Sequence, residues 1–415
     1  MAGVEPLRAL RYDLGKVGSV AAVTSPPYDV IDDEQRAELA ARSPYNVVEI
    51  DLPRDPDGGD PYEHAARLLG SWKNEGVLVE DAEPAIWALE QDYDAPDGRR
   101  LSRHGFLARV KLAPYGEGIR PHERTQPGPK EDRLRLTRAT RHNLSPIFSL
   151  HPGNAWRHIG PALEDPWDEV TDADRTTHRV WRVADPEVHE AIAAELAEGE
   201  LLIADGHHRY ETSLAYQREA GAGGDADYVL MALVSLEDPG LTVFPTHRLL
   251  KDLTDEQRER IRAVATEHFE LEEVPEDAIV PSPDDQPGTF GYMDAHHLRP
   301  WRLRLKDQEL LERELGDHSE PYRRLDAAAL EELFLTGAVG LSAESIAAKR
   351  GLGYTPDAGE AIASLRAGEY DAAFFLGPTP VELVREVAAA GETMPPKSTY
   401  FFPKLLTGIV FNPLA

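Results

Sequence analysis

Leu201-Leu202-Ile203-Ala204-Asp205-Gly206-His207-His208-Arg209-Tyr210-Glu211-Thr212 is the stretch whose reading decides this chain. Its four leading apolar residues form a short strand, Asp205-Gly206 breaks it, and the polar residues beyond open a helix. A helix start leaves backbone N–H groups unpaired and carries partial positive charge, so an anion, phosphate above all, meets donors there without reorganisation. Gly206 allows a tight turn and close backbone approach, and Arg209 is able to grip phosphate oxygens bidentately. Asp205 stands at the strand's C-terminal end, where α/β sites collect ligands, although an Asp there also serves as a plain helix cap. The chain contains its own control in Asp294-Ala295-His296-His297-Leu298-Arg299. That copy lacks the glycine and falls in an expected hairpin turn with no helix after it.

The pattern around the motif supports one compact unit. Val188, Ile192 and Leu196 recur four apart and predict a helix over 186–196 just before the strand. After the motif helix, 221–224 read as a loop and Tyr228 to Val234 as a buried strand. Upstream, prolines keep Ser25-Pro26-Pro27-Tyr28-Asp29-Val30-Ile31 out of a helix, and Asp32 or Asp33 caps a helix to about Arg42. Asn46 to Ile50, Ile86 to Glu90 and Phe106 to Leu112 read as strands, with a helix from Tyr62 to Trp72 and a hairpin turn at Asp97-Gly98. Downstream, Thr254 and Gln257 make a capping box, 280–288 is the clearest loop, and a hairpin spans 289–306. Helices follow at 327–334 and 358–367, then a strand at 372–376 and a helix opened by Thr379-Pro380. The expected class is α+β, a mixed α/β protein, in three regions: 1–150, 151–252 and 253–415, the last with a tail that returns to the site.

Composition narrows the chemistry. The 415 residues include no cysteine, which removes disulfides, thiolate nucleophiles and Cys-ligated zinc. A formal net charge of −30 repels nucleic acid, whose binding depends on Lys and Arg displacing counterions, so no nucleic-acid partner is expected. The acidity fits a high-salt habitat or high-GC codon usage. No run approaches the roughly 18 apolar residues of a membrane span, and the N-terminus lacks the features of a signal peptide. No membrane partner and a cytoplasmic address are therefore expected; homo-oligomerisation is left open.

Against that acidity, the stretch from Arg120 to Asn143 concentrates positive charge: Arg120, Arg124, Lys130, Arg133, Arg138 and Arg141 are candidate phosphate contacts. The alternative is a basic helix, 132–141, paired with acidic neighbours. His122 and Glu123 add proton-transfer groups, Glu123 as a base or Mg²⁺ ligand, or as an arginine's structural partner. Lys397, Ser398 and Thr399 lie in a polar, basic and aromatic turn and are suitable phosphate donors. Asp205 and Glu123 are the candidate metal ligands. The Walker, dinucleotide, His-Glu-x-x-His and Gly-x-Ser-x-Gly signatures are absent from the sequence, and the paired histidines lack zinc-site spacing.

Ser25 to Ile31, Pro121-His122-Glu123-Arg124-Thr125, Asn143 to Phe148, Ala204 to Thr212 and Pro396 to Lys404 together resemble a bacterial and archaeal family known as domain of unknown function 1015, which implies no activity. Over about 186–235, the Asp205-Gly206-His207-His208-Arg209 segment resembles the nucleotide-binding motif of the ParB/sulfiredoxin superfamily, and its free-serine kinases in particular. That resemblance implies an embedded ParB/sulfiredoxin-like unit in which Gly206, His207, His208 and Arg209 hold nucleotide phosphates and Asp205 orients metal or acceptor hydroxyl. The kinases' catalytic glutamate has no matched position, so Glu123 stands in on chemistry alone; the sulfiredoxin cysteine is missing. The expected function is phosphotransfer from ATP or ADP, with Mg²⁺, to a small hydroxyl compound such as free L-serine. A non-catalytic nucleotide sensor is the rival, and a phosphate-releasing hydrolase the third reading.

Overall fold

The computed structural model describes residues 3–95, 98–123, 125 and 127–414. The chain divides into two compact units: residues 1–121, 125–242 and 403–415 form the first, and 122–124 with 243–402 form the second.

The first unit is organised by a nine-stranded mixed sheet. Its strands are β1 (Val4–Glu5), β2 (Ile86–Asp94), β3 (Arg100–Lys111), β4 (Ile119–Arg120), β5 (Ile147–His151), β6 (Asp168–Thr171), β7 (Thr177–Val183), β8 (Leu201–Asp205) and β9 (Tyr228–Ser235). They lie in the order β4-β8-β5-β9-β3-β2-β7-β6, with β1 also on β3. Strands from both sides of residue 150 interleave in this sheet, so the expected divide there runs through a single hydrogen-bonded layer. β5 separates β8 from β9, parallel to β9 and antiparallel to β8. The core beneath is apolar, built from Phe106, Ile147, Ile203, Met231 and the predicted helical stripe Val188, Ile192 and Leu196. Relevant helices are α1 (Val48–Asp51), α2 (Pro61–Asn74), α3 (Pro127–Thr140), α4 (Pro186–Leu196) and α5 (His207–Ala220). The returning tail pairs Asn412 and Pro413 with Asn143 and His142.

The second unit has a wholly antiparallel six-stranded sheet. Its strands are β10 (His247–Leu250), β11 (Phe269–Glu273), β12 (Thr289–Asp294), β13 (Trp301–Leu305), β14 (Leu352–Thr355) and β15 (Ala372–Phe375). They lie in the order β11-β13-β12-β15-β10-β14. Phe269, Phe290, Phe334 and Phe374 meet in its core, Phe334 and Phe374 with ring centroids 4.6 Å apart.

The mixed α/β class is as expected, the predicted capping box forms at Thr254 with Gln257, and the expected cap at the earlier helix is Asp32, which forms a full capping box with Gln35. Three local expectations are corrected. Asn46 to Ile50 is not a strand: the Asn46 amide donates to Ala22 O and Thr24 O and its Oδ1 accepts from Val48 N, which starts the helical turn α1. Ser25 to Ile31 contains one 3-10 turn, Tyr28–Val30, beginning after Pro27. The helix expected at 327–334 starts as α and continues as a π-helix over Glu331–Ala338. Among the described residues, no helix is long and apolar enough to cross a membrane.

Candidate functional site

The motif folds as its letters suggest. Leu201, Leu202, Ile203 and Ala204 are buried in β8, a register irregularity follows between Ile203 and Asp205, and Gly206 adopts φ 97° and ψ 28° before α5. That left-handed backbone alone favours glycine, and a Cβ there would lie 3.0 Å from the Arg209 guanidinium. Arg209 is folded back over the turn: one guanidinium nitrogen donates to Pro146 O and another to Asp205 Oδ2 at 3.2 Å. Lys404 Nζ, from the returning tail, is 3.8 Å from the same carboxylate oxygen. A cation beside a helix N-terminus opposes the helix dipole, and Asp205 offsets it. His207 is buried at the first position of α5, beside His208.

Sequence reading missed Arg103 and did not select Lys404. The Arg103 guanidinium lies 4.7 Å from the Phe148 ring, donates to Gln91 Oε1 and Pro403 O, and has one buried nitrogen without a partner. Phe148 is the register partner of Asp205, and burial pulls the Arg103 pKa down to about 10. Nothing local distinguishes Arg103 from Arg100 or Arg109 on the same strand. Lys404, by contrast, closes a turn whose letters were visible.

The basic stretch meets the motif through α3, which lies against α5. Lys130 pairs with Glu211 at 2.8 Å and Arg138 with Glu219 at 2.7 Å, joining the two helices. Arg120 pairs with Glu200, Arg135 with Asp60, and Arg133 with both Asp51 and Asp132. Most of these cations are therefore committed to carboxylates, as in the paired-helix alternative. Arg141 is exposed with φ 53°, and Arg124 lies outside the described residues.

Between α1, α3, β5 and α5 the first unit has a partly open pocket of about 40 Å³, with Asp51, Arg133, His142, Ser145, Arg209 and Ser213 on its wall. The Ser25–Asp29 segment reaches this region: the Tyr28 ring lies 4.1 Å from the Arg133 guanidinium, and burial, then Asp29, pushes the Tyr28 pKa up to about 12. Burial also raises the Asp51 pKa, opposed by Arg133 and Arg209. Ser145 Oγ is 2.5 Å from Thr407 Oγ1 of the tail.

His122, Glu123, Lys397, Ser398 and Thr399 belong to the second unit. There His122 Nε2 is 2.9 Å from Thr399 Oγ1, Glu123 Oε1 accepts from Lys397 N at 3.4 Å, and Ser398 Oγ donates to Pro395 O. Asp205 and Glu123 thus lie in different units. Among the described residues no group of three or more His, Asp or Glu is arranged to hold a metal ion. Asp205 offers one carboxylate bracketed by two cations, a donor set that does not by itself fit Mg²⁺, which favours carboxylates together with phosphate oxygens and water.

The chain belongs to the family described as protein of unknown function (DUF1015), whose model matches residues 4–328. Among solved structures it is similar to a conserved hypothetical protein from Pyrococcus furiosus, with 18% identity over 71% of this chain and 90% of that one at a TM-score of 0.35. It is also similar to a free serine kinase in complex with AMP, with 17% identity over 71% and 86% at 0.37. SbnI from Staphylococcus aureus, truncated at its C-terminus, matches with 12% identity over 72% and 85% at 0.35. No curated protein matches the sequence.

Proposed function

We propose that this chain binds ATP or ADP at the Asp205-to-Arg209 turn and transfers a phosphoryl group to a small hydroxyl compound, with free L-serine the first acceptor to test. The observation that carries the reading is the Arg209 guanidinium folded over left-handed Gly206 at the mouth of α5. Backbone N–H groups, a guanidinium and the Lys404 ammonium then converge where phosphate oxygens would sit. An arriving phosphate competes with Asp205 for Arg209 and Lys404. The released carboxylate is then available to orient the acceptor hydroxyl and take its proton. His207 and His208 flank the phosphates from the first turn. Phosphoryl transfer asks a protein chiefly for positioning and charge, which this turn supplies. In this reading the paired cations Arg120, Lys130, Arg133 and Arg138 hold α3 and its neighbours in place. His122, Glu123, Lys397, Ser398 and Thr399 carry no assigned step.

The test incubates the full chain with ATP or ADP, Mg²⁺ and serine and measures phosphoserine and inorganic phosphate. Arg209→Ala is expected to weaken nucleotide binding at least about tenfold, the loss of one charge-assisted contact. Unchanged binding in a folded Arg209→Ala protein refutes the site. The engagement of Asp205 by two cations favours a second reading, nucleotide binding without turnover. Nucleotide-dependent stabilisation with no product across acceptors selects it, and phosphate release without phosphoserine selects a hydrolase.

A further inference from the structure

The tail that brings Lys404 to Asp205 is held by a row of buried polar side chains that the phosphotransfer reading leaves unused. His178 on β7, Gln91 on β2 and Arg103 on β3 are direct register partners across three neighbouring strands, and each is at most 1% exposed. Their hydrogen bonds have one consistent direction. An ionised carboxylate only accepts, so the His178 Nε2, 2.8 Å from Asp172 Oδ2, carries the proton, and Nδ1 accepts from the Gln91 amide nitrogen at 3.2 Å. The same amide nitrogen donates to Lys404 O at 3.1 Å. A guanidinium only donates, so Gln91 Oε1 faces Arg103, accepting from Nε at 3.0 Å and from Nη2, which also reaches Pro403 O.

The row matches the backbone it meets. Residues 403–406 lie outside any helix or strand, so the carbonyls of Pro403 and Lys404 take side chains as partners, Arg103 for the first and Gln91 for the second. These two peptide groups flank the Cα of Lys404, whose ammonium lies 3.8 Å from Asp205 Oδ2. A lysine on an unheld segment spreads over many backbone and side-chain states, and fixing both flanking carbonyls removes the backbone share of that freedom. The use of arginine here is costly. Of the buried arginines described in the first unit, Arg36 and Arg133 pair with carboxylates, whereas Arg103 hydrogen-bonds only to neutral groups and leaves Nη1 buried without a partner. A buried charge without a counter-ion lowers stability, and what this one supplies is a rigid fork that spans Gln91 and the tail at once.

We propose that Arg103 and Gln91 are positioning residues that hold the Lys404 ammonium at Asp205 by fixing the tail backbone on both sides of it. The positioning stands on this geometry alone; its use, keeping Lys404 where phosphate oxygens would arrive, rests on the phosphotransfer reading.

The test uses the full chain and has two readouts. The first needs no nucleotide: trace acetic anhydride acetylates the lysines, and mass spectrometry compares the rate at Lys404 with those at Lys111 and Lys306 in the same sample. Gln91→Glu keeps the acceptor for Arg103 but loses the donor to Lys404 O, and is expected to raise the relative Lys404 rate at least about threefold. Arg103→Lys keeps the charge but not the fork and is expected to do the same, so either variant decides if the other fails to fold. The second readout is ADP affinity by calorimetry. Lys404→Met and Arg103→Lys are each expected to weaken ADP at least about threefold, and the double variant no more than Lys404→Met alone, because Arg103 acts through Lys404. An unchanged relative Lys404 rate in the folded variants, or losses of ADP affinity that simply add, overturns the proposal. If the unaltered chain binds no ADP, only the phosphotransfer reading falls, and the acetylation rates decide the positioning.

Discussion

Two segments of this protein share the letters Asp-x-His-His and do opposite things with them. In the first unit Asp205 ends a buried strand, Gly206 turns left-handed, and His207 opens a helix of 14 residues. In the second, Asp294 ends β12, its Oδ1 accepts from His296 N and His297 N, and the chain returns at once along β13. There His297 is exposed, whereas His207 is buried. The difference teaches that paired histidines mean nothing without the backbone that presents them. A glycine able to hold φ 97° permits the helix start to face the strand's end, and an aspartate that caps its own turn makes only a hairpin.

The sharpest way to test burial as the dividing principle is acid. His142 in the first unit and His247 in the second are both held near 4 by burial. Each unfolded imidazole binds its proton with a pKa of about 6.5, above the folded value. The stability contributed is therefore fully present above about 6.5 and is lost as pH falls towards 4, by up to about 3 kcal/mol per histidine. Urea denaturation between pH 7 and 4 should report that decline; a flat profile breaks the account for both units.

Exchanging the residues between the aspartate and the histidines comes next. Gly206→Ala is expected to cost about 1–2 kcal/mol through its positive φ, and more once Arg209 is displaced. Ala295→Gly in the hairpin should create no nucleotide binding. A nucleotide titration of both variants sharpens the comparison, and an unaffected Gly206→Ala protein contradicts it.

The smallest effect belongs to the exposed copy. Its contact between His297 Nδ1 and Asp294 Oδ1, 3.0 Å long, is solvent-accessible on the histidine side. His297→Ala should change stability by no more than about 0.5 kcal/mol in thermal melts. A loss several times larger would mean that the turn is more than a connection.

Much of this was legible before any coordinates. The helix at 186–196, the strand and helix of the motif, the Asp32 cap and the Thr254 capping box follow from local rules, because each depends on residues within one or two turns of one another. Asn46 to Ile50 was misread because its apolar letters suit a strand, while its actual partners at Ala22 and Thr24 are distant in sequence. The basic stretch was legible as a helix, but the carboxylates that neutralise it come from Asp51, Glu211 and Glu219. Arg103 could not be singled out, since its setting comes from β2, β5 and the tail.

By itself the sequence determined the motif's turn, the α+β class and the exclusion of cysteine chemistry, since backbone preference and residue type are local properties. Tertiary structure alone decided which charges cancel and that the tail returns Lys404 to Asp205. The physical reason is that electrostatic and hydrogen-bond energies depend on separation and burial in space, which distance along the chain does not record.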